Sequence, residues 1–284
     1  MKIAVATFIY PAPSIRGYAR ACLDSLARQT RTDFELFVFN DGLEDVESLL
    51  PKSGMQAQIV EVQGAPADIR RKAIRYLCEA GFDIIVFADI DDLFAENRIA
   101  VAVELLAAGA DIALNELVLF GEGVREERLF LGRLAELTIV RLEDIHDGNC
   151  FGMSNTAVRV SAIPDIVFVP RDVPAFDWFL YTCMLMDGAV ARFTAKTVTF
   201  YRQHPKNMAA IRDLSNGNIA RGLGIKRRHF EVFDPIYAAG LSETENRIGQ
   251  DNAFQQTYGK AVREAMRPQP FWWEAIKTYK ELGL

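Results

Sequence analysis

Disulfide-ready cysteine pairs, long apolar runs and an excess of basic charge are all missing from this chain, and each shortage narrows what it can be. The four cysteines, Cys22, Cys78, Cys150 and Cys183, lie far apart and in no CxxC pair. This excludes a zinc-site spacing and the dense disulfide framework of small secreted domains, so the expectation is a cytoplasmic protein with reduced thiols. No segment reaches the ~18 apolar residues of a membrane span. The opening Met1 to Tyr10 is too short an apolar segment for a signal peptide and reads better as a first buried strand. A formal net charge of −6 gives no general basic field for nucleic acid, and the run Lys226-Arg227-Arg228-His229 reads as a solvated helix face. Internal repeats, low-complexity tracts and a Gly-rich phosphate loop near the N-terminus are also missing.

What remains is ordinary for a globular protein: half of the 284 residues are hydrophobic and a quarter charged. The length allows about two domains, or one large α/β domain with an appendage. The most informative stretch is Phe82 to Asp92, an apolar run that stops in Asp89, Asp91 and Asp92. A continuous apolar run is the mark of a buried parallel strand, and ligands of open α/β sheets bind outside the carboxyl ends of the strands. Carboxylate oxygens suit magnesium or manganese, ions that commonly hold a substrate's phosphates. A solvated acidic loop or a helix N-terminus would carry the same residues, since Asp is favoured at both.

Strands and helices alternate around this stretch. After the first strand and the loop Pro11 to Ser14, Tyr18, Cys22, Leu23 and Leu26 recur at helical spacing. A second strand, Asp33 to Phe39, ends in the turn Asn40-Asp41-Gly42, a third spans Gln58 to Val62, and a helix over Ala67 to Ala80 stops at Gly81. This order predicts a parallel sheet with right-handed crossovers. Further on, the pattern predicts a helix over Arg98 to Ala108, strand through Ala110 to Leu114 and Glu116 to Phe120, and a loop around Gly148 to Ser154. Then come a Val167 to Val169 strand, a helix from Phe176 to about Met186, and a strand Ala195 to Tyr201 that delivers Arg202 and His204. From about Asn207 the chain turns helical and polar, ending in Phe271-Trp272-Trp273.

Four blocks in this order resemble the family 2 type of GT-A glycosyltransferases. Phe37 to Gly42 stands for the family's VVDDGS turn, Ile69 to Ile74 for its ARNxGI helix, Phe87 to Asp92 for its FLDADD, and Phe200 to His204 for its YRxH. The resemblance implies a GT-A, Rossmann-like α/β fold: a mixed, mostly parallel central sheet flanked by helices. It covers residues 1–208, with a nucleotide-binding half over about 1–95 and an acceptor half over about 96–208, leaving residues 209–284 as a helical C-terminal extension.

By the same resemblance Thr7, Ile9, Tyr10 and Asp41 meet the donor's base and ribose, Arg70 braces the Asp cluster or a phosphate, and Asp89 and Ile90 complete the donor site. Asp91, with Asp89 and His204, holds a Mn2+ or Mg2+ ion. A carboxylate can accept from a base N–H or a ribose hydroxyl, and a guanidinium is a rigid donor fork for oxyanions. Asp177 stands where the family has its general base, although an Asp ahead of an apolar helical run is equally a plain N-cap. Arg202 is expected at the diphosphate, with Asn149 and Trp178 on the acceptor side. The implied reaction is metal-dependent inverting transfer from a nucleotide-sugar, a UDP-sugar first, to a glycan or lipid-linked acceptor in surface polysaccharide or lipopolysaccharide synthesis. No nucleic acid takes part. The aromatic tail leaves open packing on the main domain, a homodimer through the C-terminal helices, or a peripheral contact at the inner face of the membrane.

The departures are Asn40 for the turn's first Asp, Leu43 for its Ser and Phe176 for the Glu before the base. They leave two other readings, a catalytically degenerate nucleotide-sugar-binding module and a sugar-phosphate nucleotidyltransferase.

Overall fold

A computed structural model describes residues 1–284 apart from 52–53, 122–123, 125, 166–172, 205–210, 212 and 267–270. The strand expected at Val167 to Val169, and the boundary near 208, lie outside the described residues. Among the described residues ten strands form one sheet: β1 (Ile3–Ile9), β2 (Glu35–Asn40), β3 (Ala57–Glu61), β4 (Ile84–Phe87), β5 (Leu93–Phe94), β6 (Ile112–Gly121), β7 (Glu127–Arg128), β8 (Ile139–Val140), β9 (Thr156–Arg159) and β10 (Ala191–Gln203). Among the described residues seven α-helices accompany them: α1 (Ile15–Ala27), α2 (Pro66–Glu79), α3 (Arg98–Ala107), α4 (Phe176–Met186), α5 (Asn216–Phe233), α6 (Pro235–Gln250) and α7 (Asn252–Ala265).

The strand order is β3-β2-β1-β4-β9-β6-β10-β5, with β7 on β6 and β8 on β10. The first four strands are mutually parallel, β6 and β10 are parallel to each other, and β9 lies antiparallel between β4 and β6. Side-chain alternation divides β1 cleanly. Ile3, Val5 and Ile9 pack with α1 and α3 on one face, while Ala4, Ala6 and Phe8 pack with α2, α4 and the C-terminal helices on the other. Residues on both faces are apolar because helices cover both.

Local chemistry sets the helix ends. Pro66 opens α2, where its missing N–H costs nothing, and Gly81 leaves it at φ 74°. Ser215, Asp234 and Asp251 cap α5, α6 and α7 through bonds to the backbone N–H groups of Asn218, Tyr237 and Ala253.

Two elements differ from the sequence reading. β6 runs unbroken through Asn115, and β10 starts at Ala191 with a bulge between Thr194 and Val198. Polar residues hid both: Asn115 is buried and bonded inside the sheet, and the Lys196 region carries the bulge. The tail is not helical beyond a short 3-10 turn at Trp272–Ala275, and Phe271 and Trp272 are buried within this protein's own core. Trp272 lies against Gly222, where a Cβ would stand 2.5 Å from its ring. Phe271 and Trp272 thus pack on the main body.

Candidate active site

β1, β2 and β4 end at the same edge of the sheet. Beyond β4 the Ala88 N–H still donates to Ala6 O at 2.9 Å, and a turn closed from Asp92 N to Asp89 O at 3.2 Å then redirects the chain into β5. Since β5 pairs antiparallel with β10 at Phe200 and Thr199, this turn lies beside the end of β10. The Arg202 N–H donates to Asp92 Oδ1 at 2.8 Å, Arg202 Nε donates to the Asp91 carbonyl at 2.6 Å, and His204 Nε2 lies 3.1 Å from Asp91 Oδ2. Two segments 110 residues apart in sequence thus form one corner.

Arg70, on α2, brings its guanidinium within 3.5 Å of Asp89 Oδ1 and rests over the Phe8 ring at 5.3 Å. Burial raises the Asp89 carboxyl to about 6, opposed by Arg70 and assisted by Asp91 and Asp177. Asp177, in the first turn of α4, lies near enough to feel the Arg70 charge and to act on Asp89. Its carboxyl is raised, chiefly by burial, while its Oδ1 accepts the Trp178 N–H at 2.8 Å. Ala175, not Asp177, occupies the N-cap of α4. Tyr10 stands 47% exposed at the rim; burial, Asp91 and Asp89 raise its hydroxyl, and Arg70 opposes them.

Asp41 is half-buried at the end of β2, its N–H held by Ile9 O at 2.8 Å. Thr7, Ile9 and Ile90 are buried, with Ile9 and Ile90 in the cluster packed on α1 and α3. Asn149 closes its own loop: its amide donates to Phe151 O, and its Oδ1 accepts the Phe151 N–H at 3.0 Å. Trp178 is only 5% exposed, donates from Nε1 to Ile145 O at 3.0 Å and stacks on His229 of α5. The loop bonds occupy the amide of Asn149, and Trp178 packs against α5.

Asn40 has a structural reason. β2 and β3 pair in a register that sets it opposite Glu61, and its amide donates to Glu61 Oε1 at 2.8 Å and to Leu43 O at 3.0 Å. A carboxylate there would face Glu61 without a donor. Leu43 returns its N–H to Asn40 Oδ1 at 2.9 Å, closing the turn that contains Asp41.

Sequence reasoning missed three residues that hold this corner. Arg98, the first residue of α3, is fully buried and donates to Phe87 O at 2.8 Å, Thr156 O at 3.2 Å and Asn115 Oδ1 at 3.1 Å. Burial lowers its pKa to about 10, opposed by Asp92. Asn115 extends the chain to Thr199 on β10 at 3.1 Å. Tyr18, on α1, lies under Arg202 and His204. An arginine opening a helix, an asparagine in a strand and a tyrosine in an apolar stripe carry no sequence signal of such roles.

Among the described residues no three His, Cys, Asp or Glu side chains converge on one cation position. The half-buried Asp91 and His204 nevertheless supply an oxygen and a nitrogen side by side. Magnesium and manganese ions held by one or two protein ligands complete their shells with phosphate and water oxygens. The donor set therefore fits an ion that arrives with a diphosphate.

Solved structures share this architecture. S. aureus TarS 1-349 in complex with UDP-GlcNAc aligns over 97% of this chain and 79% of its own, with a TM-score of 0.61 and 16% identity. The mannosyltransferase PcManGT from Pyrobaculum calidifontis, in complex with GDP-Man and Mn2+, aligns over 94% of this chain and 75% of its own, with a TM-score of 0.57 and 16% identity. The chain has a GT-A-like glycosyltransferase fold. In sequence it is 28% identical over 119 residues to glycosyltransferase GlyA of Streptococcus pneumoniae serotype 4, a match to 41% of this chain. The match spans only 17% of that relative's length. No family model matches the chain. Among the described residues no helix of this GT-A-like fold is long and apolar enough to cross a membrane.

Proposed function

We propose that this protein transfers a sugar from a nucleoside-diphosphate donor to a hydroxyl of a glycan or lipid-linked acceptor, with inversion at the anomeric carbon. One observation carries the reading. At the carboxyl edge of a GT-A-like sheet, two cationic side chains, Arg70 and Arg202, and the Asp91–His204 pair surround the turn that bears Asp89. Asp177, on α4, lies near enough to this turn to act on Asp89 electrostatically. Cationic forks and a metal-ligating pair suit a diphosphate; a raised carboxylate suits proton acceptance.

Asp41 and Tyr10 bind the base and ribose at the ends of β2 and β1. Asp91 and His204 hold a manganese or magnesium ion, with Asp89 beside them. When bound, that ion neutralises charge on the departing diphosphate. Arg70 exchanges its 3.5 Å contact with Asp89 for a phosphate oxygen, and Arg202 orients the diphosphate. Asp177 takes the proton of the acceptor hydroxyl as the new glycosidic bond forms, its raised pKa making it a stronger acceptor. The UDP, UDP-GlcNAc and GDP-Man complexes of the neighbours support a nucleotide-sugar donor, with a UDP-sugar tried first. Surface polysaccharide or lipopolysaccharide synthesis, in the cytoplasm, is the proposed setting.

The test is a thermal-shift panel of UDP, GDP, dTDP and CMP with and without manganese, on the wild type and Asp91→Ala. A nucleotide that stabilises the wild type only with metal, and leaves Asp91→Ala unshifted, is the expected result. Silence across the panel, or an equal shift in both proteins, overturns the reading.

A further inference from the structure

The geometry points to Tyr18 as the positioning residue that orients Arg202 and His204 against the Asp91 turn, an inference that rests on the proposed donor site. Helix α1 turns Cys22, Leu23 and Leu26 fully into the core, whereas Tyr18 is half-buried one turn ahead of Cys22. Residues four apart share a helix face. That stripe runs beneath the acidic turn, where Cys22 Sγ reaches the Asp89 carbonyl at 3.7 Å.

Tyr18 continues the stripe under the end of β10. Its ring lies 5.4 Å from the His204 ring at an interplanar angle of 29°, and the Arg202 guanidinium carbon sits 4.5 Å above its centroid. The ring of Phe120, at the end of β6, also lies 4.5 Å from the same guanidinium carbon. Arg202 thus contacts two aromatic rings while its Nε donates to the Asp91 carbonyl. His204 is fixed between the Tyr18 ring and Asp91 Oδ2. Cation–π contact and ring stacking fix these two side chains in directions their own strand does not impose. The ring performs this task and the hydroxyl does not, so phenylalanine suffices and leucine fails.

The test compares Tyr18→Leu, Tyr18→Phe and Phe120→Leu with the wild type in two measurements. The chain has three histidines, so the His204 ring protons are assigned by NMR from the signals lost in His204→Gln. The expectation is a ring-current displacement of the His204 signals that survives in Tyr18→Phe and Phe120→Leu and collapses in Tyr18→Leu. Calorimetry with Mn2+ plus UDP, and with Mn2+ plus GDP, reads the consequence. Tyr18→Leu is expected to weaken binding about five- to tenfold, and Tyr18→Phe less than about twofold. His204 signals unmoved in a folded Tyr18→Leu overturn the inference, as do collapsed signals with unchanged affinity. A wild type that binds none of UDP, GDP, dTDP and CMP with manganese overturns the donor-site reading itself, and with it the role of Tyr18.

Discussion

The His229 imidazole makes a prediction that is independent of substrate. It is 3% exposed on α5, stacked on Trp178 at 3.8 Å and 8°, and flanked by Phe230 and Phe233. Its Nε2 has Thr182 Oγ1 at 3.5 Å, and its Nδ1 has no hydrogen-bond partner among the described residues. An imidazolium would bury a charge with no acceptor for its second proton, close to the ammonium of Lys226. Burial first, then Lys226 and His146, lower its pKa from 6.5 to about 3. The unfolded chain binds a proton below pH 6.5 that the folded chain refuses until about pH 3, so stability falls as pH falls through that window. At pH 5 the linkage amounts to about 2 kcal/mol, against roughly 0 at pH 7.5.

The Trp178 face attracts an imidazolium and offsets roughly 1 kcal/mol of this at most. His229→Phe keeps a ring on Trp178 and removes the titration. Urea unfolding followed by tryptophan fluorescence at pH 7.5, 6 and 5 is expected to show the wild type losing about 1–2 kcal/mol more than His229→Phe. Parallel pH profiles would refute the argument, because His229 would then carry its proton in the folded state as readily as outside it.

Asn40→Asp restores the carboxylate of the family turn but sets it against Glu61 without the amide donor. A loss of about 2 kcal/mol at pH 7 that shrinks at pH 4 is expected in denaturant unfolding; no loss at pH 7 counts against the pairing. Asp177→Asn removes the proposed proton acceptor while keeping the shape of the first turn of α4. Turnover is expected to fall about 10²- to 10⁴-fold with nucleotide affinity within about twofold, and a variant that loses affinity instead contradicts the assignment.

The corner around Asp91 was partly legible from sequence because its components obey local rules. An apolar run ending in carboxylates is a buried strand reaching a sheet edge, so Asp89 and Asp91 could be placed without any contact information. The α2 pattern, from Pro66 to Gly81, could be read the same way. Tyr18 could not, because an aromatic in an i, i+4 stripe looks the same whether it faces the core or a functional corner. The contacts of Trp178 and Asn149 were equally hidden: the first arise from α5 packing across α4, the second from bonds within its own loop.

By itself the sequence determined the periodicities that make these strands and helices, the caps that end the helices, and the position of the acidic turn. Each depends on residues within a few positions of one another. Tertiary structure alone decided that the Tyr18 ring lies under Arg202 and His204, that Asn40 meets Glu61 across β2 and β3, and that the tail closes on Gly222. These are contacts between segments far apart in the chain, and their geometry is fixed by strand register and helix packing, which no local spacing encodes.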